Sequence, residues 1–290
     1  MDMIEVAKNF DLTKITFGDI KKVVGYLEKY GYLKDEYTVK DLVGGVKRLH
    51  SFFGLDSDTI TGQTLKIVQT SRCGCPDNLT TEELSDNNKW AFSHLKYYFD
   101  TFVPNLTKDE QREYTKRSYD SISAVCGLTF EEVKNANQAN IIITTGRDNG
   151  LGTQNEVLAY AFLASSPNHT SQLQLVFDQV ELWITGLSPS QRGILYQNVC
   201  CHESLHNLGL AHSQVSSALM APFYSPSIVI PQQNDDIARL VRRYGPRKAN
   251  PVPVPPVVPV TPTVPTFGEI NIKITGDQII IPGYRVQKLT

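Results

Sequence analysis

Cysteine is scarce and odd in number. Five residues in a chain of 290 are too few for the disulfide frameworks that staple small secreted domains. At least one of Cys73, Cys75, Cys126, Cys200 and Cys201 must be free, bound elsewhere or intermolecular. Long apolar runs are missing as well. Pro251 to Pro265 is the one extended apolar segment, and proline interrupts it throughout. Nothing reaches the roughly 18 residues a membrane helix needs, so no membrane span is expected. Charge of one sign is also lacking: 28 basic and 30 acidic side chains leave a formal net charge of -2. That balance excludes the strongly basic surface on which nucleic-acid binding rests. The first residues, MDMIEVAKNF, put acids where a secretory signal carries a basic region and then an apolar core. No such signal is read there.

What is present is ordinary globular composition, 41% hydrophobic and 20% charged. The length implies one domain with appendages, or two domains. The first 70 or so residues read as three short helices. Ile20, Val23, Val24, Leu27 and Tyr30 recur at helical spacing before Gly31. Thr38 and Asp41 open a second helix that stripes Leu42, Val46, Leu49 and Phe53 along one face and stops at Gly54. A third runs near Thr64 to Val68. From Trp90 onward the pattern is mixed, with a strand at His94 to Phe99 and a helix capped by Thr107 and Glu110. Strand-like runs follow at Ala139 to Thr145, Val157 to Leu163 and Leu173 to Phe177. Ser188, Pro189 and Gln191 are read as the opening of a second strong helix, and Asn234 to Tyr244 as the last one. The prolines of 250–266 dictate an extended, semi-rigid linker. Alternating isoleucines on either side of Gly276-Asp277 read as a hairpin.

The segment HESLHNLGLAH carries the chemistry. On a helix His202 and His206 project from one face and can share a metal. A continuing helix would carry His212 about 15 Å away along the axis, so the helix must break, and Gly209 stands where the break is needed. Three neutral nitrogens leave a fourth position for water, and Glu203 is within reach to take its proton.

This pattern resembles the zinc signature of the metzincins, and Ser213 after the third histidine resembles the matrix metalloproteinases, or matrixins. Met220 in SALMAPFY looks like the family's Met-turn. By the same resemblance Pro222 and Tyr224 wall the primed-side specificity pocket, and Leu158 and Ala159 form the edge that receives substrate. GYLEKYGYL, GLDSDTITGQTL and SRCGCPD are similar to the matrixin propeptide, and Trp90 matches the start of the catalytic domain. NDDIARLVRRYG resembles the last helix, in which Asp235 and Asp236 are candidates to pair with a freed N-terminus. The likeness covers about residues 15 to 247, and no hemopexin-like domain is read after it. It implies an α+β fold: a three-helix propeptide bundle, then a metzincin catalytic domain with a twisted mixed sheet and three helices. The expected divisions are 1–77 propeptide, 78–88 activation segment, 89–247 catalytic domain, 248–266 linker and 267–290 tail.

The resemblance also implies latency, with Cys73 as the inhibitory fourth zinc ligand and Arg72 and Asp77 paired around it. Cys75 stands where the family usually has an apolar residue; a competing ligand, a Cys73–Cys75 bond and simple tolerance are all open. Cys200 and Cys201 are expected to be buried small residues. FDQVELW resembles a calcium-bearing segment, making Asp178 and Glu181 candidate calcium ligands beside one catalytic zinc. Tyr160 and Val176 replace histidines of the family's second, structural zinc, which is expected to be missing; His169 is expected to be solvated rather than ligating. The sequons at Asn78, Asn105 and Asn168 decide nothing. The expectation is a latent zinc endopeptidase acting on protein substrates, matrix proteins among the candidates, monomeric and activated by another protease. The family implies an extracellular location. The rival is a non-catalytic matrix- or wall-binding protein on the same scaffold, against which an intact Glu203 argues.

Overall fold

A computed structural model describes residues 9–80, 84–186 and 192–247, together with the short strands 273–275, 278–281 and 284–285. Three helices open the chain: α1 (Phe17–Lys29), α2 (Val39–Phe52) and α3 (Gly62–Val68). Each begins with a reciprocal capping box, in which Thr16, Thr38 and Thr61 pair with Asp19, Asp41 and Thr64. Their apolar stripes meet in one core built on Ile20, Val23, Leu27, Leu42, Val46 and Leu49. His50 is buried within it, its ring bonded to Ser57 O and Thr64 Oγ1.

The second core lies between a five-stranded sheet and two helices. In chain order these elements are β1 (His94–Phe99), α4 (Lys108–Ser123), β2 (Thr129–Glu132), β3 (Ile141–Gly146), β4 (Ala159–Ala161) and β5 (Leu173–Asp178). The sheet order is β2-β1-β3-β5-β4, parallel except for the antiparallel edge strand β4. Two short strands, β6 (Trp183–Ile184) and β7 (Ile194–Leu195), pair with each other before α5 (Tyr196–Asn207). A π-helical turn at Gln233–Ile237 leads into α6 (Ala238–Tyr244). Buried Leu95, Tyr119, Ile122, Ile141, Phe177, Tyr196 and Leu205 join sheet, α4 and α5 into one core. The mixed sheet and these three helices give the α+β class expected.

Two sequence expectations need correction. The helix read from Ser188 begins instead at Tyr196, because Ile194 N–H donates to Leu182 O and Ile194–Leu195 pair with Trp183–Ile184 first. Ser188, Pro189 and Gln191 lie outside the described residues. The strand read over Val157 to Leu163 pairs with β5 only at Ala159–Ala161. Val157 and Leu158 face another segment, described below. Residues 249–290 form a separate compact unit. In it β8 (Lys273–Thr275) and β9 (Gln278–Ile281) make the expected hairpin, and β10 (Tyr284–Arg285) adds a third strand to it. The proline-rich linker lies outside the described residues.

The Thr107 box of α4 is representative: Thr107 Oγ1 accepts Glu110 N–H (3.2 Å) and Glu110 Oε2 accepts Thr107 N–H (2.8 Å). Thr107→Ala is expected to cost about 1 kcal/mol, seen as a lower urea midpoint at unchanged slope, with Thr107→Ser close to wild type.

Candidate metal centre and cleft

Helix α5 is buried on nearly every side, which is why its sequence carries little amphipathic contrast. It carries His202, Glu203 and His206 in its C-terminal half, all of them buried. The helix then stops. Gly209 adopts φ 85°, its N–H bonds to His206 O (2.7 Å) and Leu210 N–H bonds back to Leu205 O (3.0 Å). A Cβ here would lie 2.7 Å from both Asn88 O and Arg243 Nη1, so only glycine makes the turn. The reversal brings His212 Nε2 to 3.2 Å from His206 Nε2.

Each ring is fixed through its other nitrogen. His202 Nδ1 bonds Leu219 O, His206 Nδ1 bonds Leu210 O and His212 Nδ1 bonds Asp77 Oδ1, all at 2.7 Å. Those acceptors hold the proton on Nδ1 and leave three Nε2 lone pairs aimed at one point. His202 Nε2 is buried and has no hydrogen-bond partner among the described residues. Two lone pairs facing each other repel unless a cation lies between them. Cys73 Sγ is 3.4 Å from His206 Nε2, and the four ligand atoms all lie within 4.8 Å of one another. A tetrahedral zinc site with bonds of about 2.0–2.1 Å to nitrogen and 2.3 Å to sulfur has edges of about 3.3–3.6 Å. The donor set therefore fits zinc in type, number and spacing. Burial, reinforced by the neighbouring His212, holds His202 down to about 3, and burial likewise lowers His206 and His212, keeping the rings in the neutral, ligating form.

Glu203 lies beside this cluster. Burial raises its carboxyl to about 8, against the lowering influence of Cys73 and Cys75, and its Oε1 has no hydrogen-bond partner among the described residues. Met220, next to the Leu219 whose carbonyl holds His202, is fully enclosed, and its carbonyl accepts Ser213 N–H (2.8 Å). Asp236 accepts the N–H groups of Leu219 (2.7 Å), Met220 (3.1 Å) and Gln232 (2.8 Å). Asp236 thus holds the turn whose Leu219 carbonyl fixes His202, and Asp235 pairs with Arg239 at 3.1 Å.

The segment 71–74 fills the groove in front of the cluster. Arg72 pairs parallel with Val157 and antiparallel with Phe223. Leu158 N–H donates to Arg72 O (3.0 Å), Gly74 N–H to Ala159 O (2.8 Å) and Cys73 N–H to Pro222 O (3.0 Å). A Cβ on Gly74 would fall 2.8 Å from Val157 Cγ1, so the close approach depends on its absence. The residues expected to receive substrate are occupied by the chain itself, and Pro222 and Tyr224 line a small cavity with His202, Glu203 and Leu158. Arg72 and Asp77 form a buried two-point ion pair at 2.5 and 2.9 Å, with the guanidinium 3.6 Å from the Tyr30 ring centre. Burial pushes Asp77 upward, but Arg72 and His212 more than offset it and hold the carboxyl well below the usual range.

Asp178 and Glu181, the candidate calcium ligands, are both buried beside the loop 152–155. Asp178 accepts N–H groups of Gly152 (2.9 Å) and Val180 (2.8 Å), and Glu181 those of Asn155 (2.7 Å) and Leu182 (2.9 Å). Each carboxylate oxygen ties down loop backbone directly. Tyr160 and Val176 face each other across β4 and β5 in an apolar cluster with Leu151 and Val157. His169 packs its ring against Trp90 at 4.8 Å. Cys200 and Cys201 are fully buried against Thr115, Ser118 and Ser121 of α4. Sequence reasoning missed two contacts, Asp77 to His212 and Asp236 to the Met220 turn, since neither has a spacing that announces it.

A family model described as matrixin matches residues 89–245. Interstitial collagenase of Oryctolagus cuniculus is 32% identical over 82% of this chain and 52% of its own length. The Bos taurus interstitial collagenase is 31% identical over 82% and 52%, and matrix metalloproteinase-20 of Homo sapiens 29% over 77% and 48%. The chain thus spans about half the length of the curated relatives it matches. With the family model covering more than half of its residues, the chain belongs to the matrixin family.

Proposed function

We propose that this chain is a latent zinc metalloendopeptidase that hydrolyses internal peptide bonds of protein substrates, held inactive by residues 1–77 as its propeptide. The observation that carries the reading is the convergence of His202, His206, His212 and Cys73 on one point beside Glu203. Zinc, when held by the three histidines, supplies a Lewis acid that polarises the scissile carbonyl and acidifies water. Glu203 takes the proton of the attacking water and passes it to the departing amine. Leu158 N–H and Ala159 O bind the substrate backbone as an added strand once Arg72 and Gly74 have left them. Pro222 and Tyr224 then receive the side chain that follows the cleaved bond. Removal of the propeptide readmits water, which lets Glu203 ionise and work as a base. Cleavage within 78–88 by another protease is the activating event, and matrix proteins are the substrate class, as the names of its collagenase relatives indicate. Secretion follows from the same relationship.

Hydrolysis of a quenched fluorescent peptide tests this. The zinc-loaded full-length chain should be silent, the chain beginning at residue 89 active, and Glu203→Gln in the latter lower by about 10³-fold in kcat with zinc still bound. Silence of the trimmed, zinc-loaded chain toward a broad peptide set would refute the peptidase. Asp77→Ala leaves the Arg72 charge buried without its partner, a penalty of about 3–5 kcal/mol on the docked propeptide. Its uncut chain should hydrolyse peptide at a rate approaching that of the trimmed enzyme. An Asp77→Ala chain as silent as wild type would show that the ion pair does not hold the latch.

A further inference from the structure

Cys75 has no task in the mechanism above, yet it is built into the latch. Its N–H donates to Cys73 Sγ (3.3 Å). Its own sulfur lies between Ala161 O (3.1 Å) and Ala161 N (3.4 Å), and 3.9 Å from Glu203 Oε2. The Cys73 and Cys75 sulfurs belong to a cluster with Glu203 and His206 whose ligand atoms are all within 4.8 Å of one another. Both thiols are free. With the two sulfurs no more than 4.8 Å apart, a disulfide of ~2.05 Å requires them to close on each other by side-chain rotation and backbone adjustment. Gly74, the one residue between them, carries no side chain to resist the adjustment.

The two sulfurs differ in access. Cys75 lines a cleft of about 920 Å³ whose walls include Lys29, Tyr160, Phe162 and Gln174. Cys73 is absent from that wall; it faces His206 and borders only the small cavity of about 20 Å³ beside Pro222 and Tyr224. A small oxidant entering the cleft meets Cys75 first, with Cys73 behind it as a resolving thiol.

We propose that Cys73 and Cys75 form an oxidation site at which a hydroperoxide closes an intraloop disulfide and releases the latch without cutting the chain. The proposal rests on the latent-peptidase reading. The Cys75 sulfur attacks one peroxide oxygen, the O–O bond breaks, and water leaves behind a sulfenic acid. The Cys73 sulfur then attacks the Cys75 sulfur, the S–O bond breaks, and hydroxide departs as a second water by taking up a proton, from Cys73 as a thiol or from solvent where Cys73 is held as a thiolate. Two thiols are oxidised to one disulfide, and one hydrogen peroxide is reduced to two waters. A sulfur committed to Cys75 no longer offers a thiolate to the point where the three histidine nitrogens meet. A ring this short is strained and therefore easily reduced, so the release is reversible by thiols.

The test treats full-length, zinc-loaded chain with hydrogen peroxide and reads two quantities: non-reducing peptide mass spectrometry of the 71–77 region, and peptide hydrolysis. Expected is a peptide lighter by two hydrogen atoms, linked Cys73 to Cys75, appearing together with about tenfold or greater activation that dithiothreitol reverses. Cys75→Ser and Cys75→Val, both still latent and activated by trimming, should give neither the linked peptide nor the reversible activation. The proposal is overturned if the linked peptide never forms, or if the Cys75 variants activate as fast and as reversibly as wild type. A reduced, uncut wild-type chain already as active as the trimmed one would instead sink the latency reading, and the proposal with it.

Discussion

The contact between residues 71–78 and the histidine cluster depends on one carboxylate. Asp77 accepts from the Arg72 guanidinium, from Tyr32 Oη (2.9 Å) and from His212 Nδ1 (2.7 Å), and it is buried. A buried carboxylate alone would be expelled or protonated. Here two cationic or proton-donating partners and a tyrosine hydroxyl satisfy its lone pairs, and the group remains ionised. The three partners come from different parts of the chain: the N-terminal bundle, the cysteine loop and the histidine cluster. One charge therefore locks the bundle onto the cleft and at the same time sets the tautomer of a candidate metal ligand. Such a network is cooperative, because losing any one partner leaves the others with unmet charge in a buried site.

The remaining two rings are oriented by backbone instead. Leu210 O and Leu219 O are available to His206 and His202 only because the chain turns at Gly209 and again at the Met220 turn, and Asp236 clamps the second turn through two N–H groups. The position of the last helix thus reaches the metal centre through a single side chain. This also assigns a physical role to the enclosed Met220: its side chain is part of the core while its carbonyl and amide hold the turn. A polar residue there would bring a group with no partner into the core.

How much of this was legible beforehand follows the range of the interactions. The capping boxes of Thr16, Thr38 and Thr107 are local, and helices begin where those threonines stand. The spacing of His202, His206 and His212 around Gly209 is local too, and the geometry matches it. Helix α5 was misplaced because Ser188 and Pro189 carry a start signal, whereas tertiary pairing of Ile194–Leu195 with Trp183–Ile184 delays the helix to Tyr196. Asp178 and Glu181 were read as calcium ligands from their likeness to a family segment. Their contacts with the amides of Gly152 and Asn155 lie 26 positions away and have no side-chain signature. For the same reason nothing in the sequence linked Asp77 to His212, which is 135 positions distant.

The direction of the chain in the groove bears on why the latch is not itself a substrate. Residues 72–74 use the backbone groups of Leu158 and Ala159, yet Arg72 runs parallel to Val157. Edge strand β4 pairs antiparallel with β5 on its other side, so the groove is bordered by strands whose hydrogen-bonding groups accept a guest of either direction. A parallel guest places Cys73 Sγ, not a peptide carbonyl, beside His206 and Glu203. The same backbone bonds that would align a scissile bond are therefore spent on presenting a sulfur. On the latent reading proposed above, the binding energy of the substrate groove thus adds to that of the Asp77 network in holding residues 72–74.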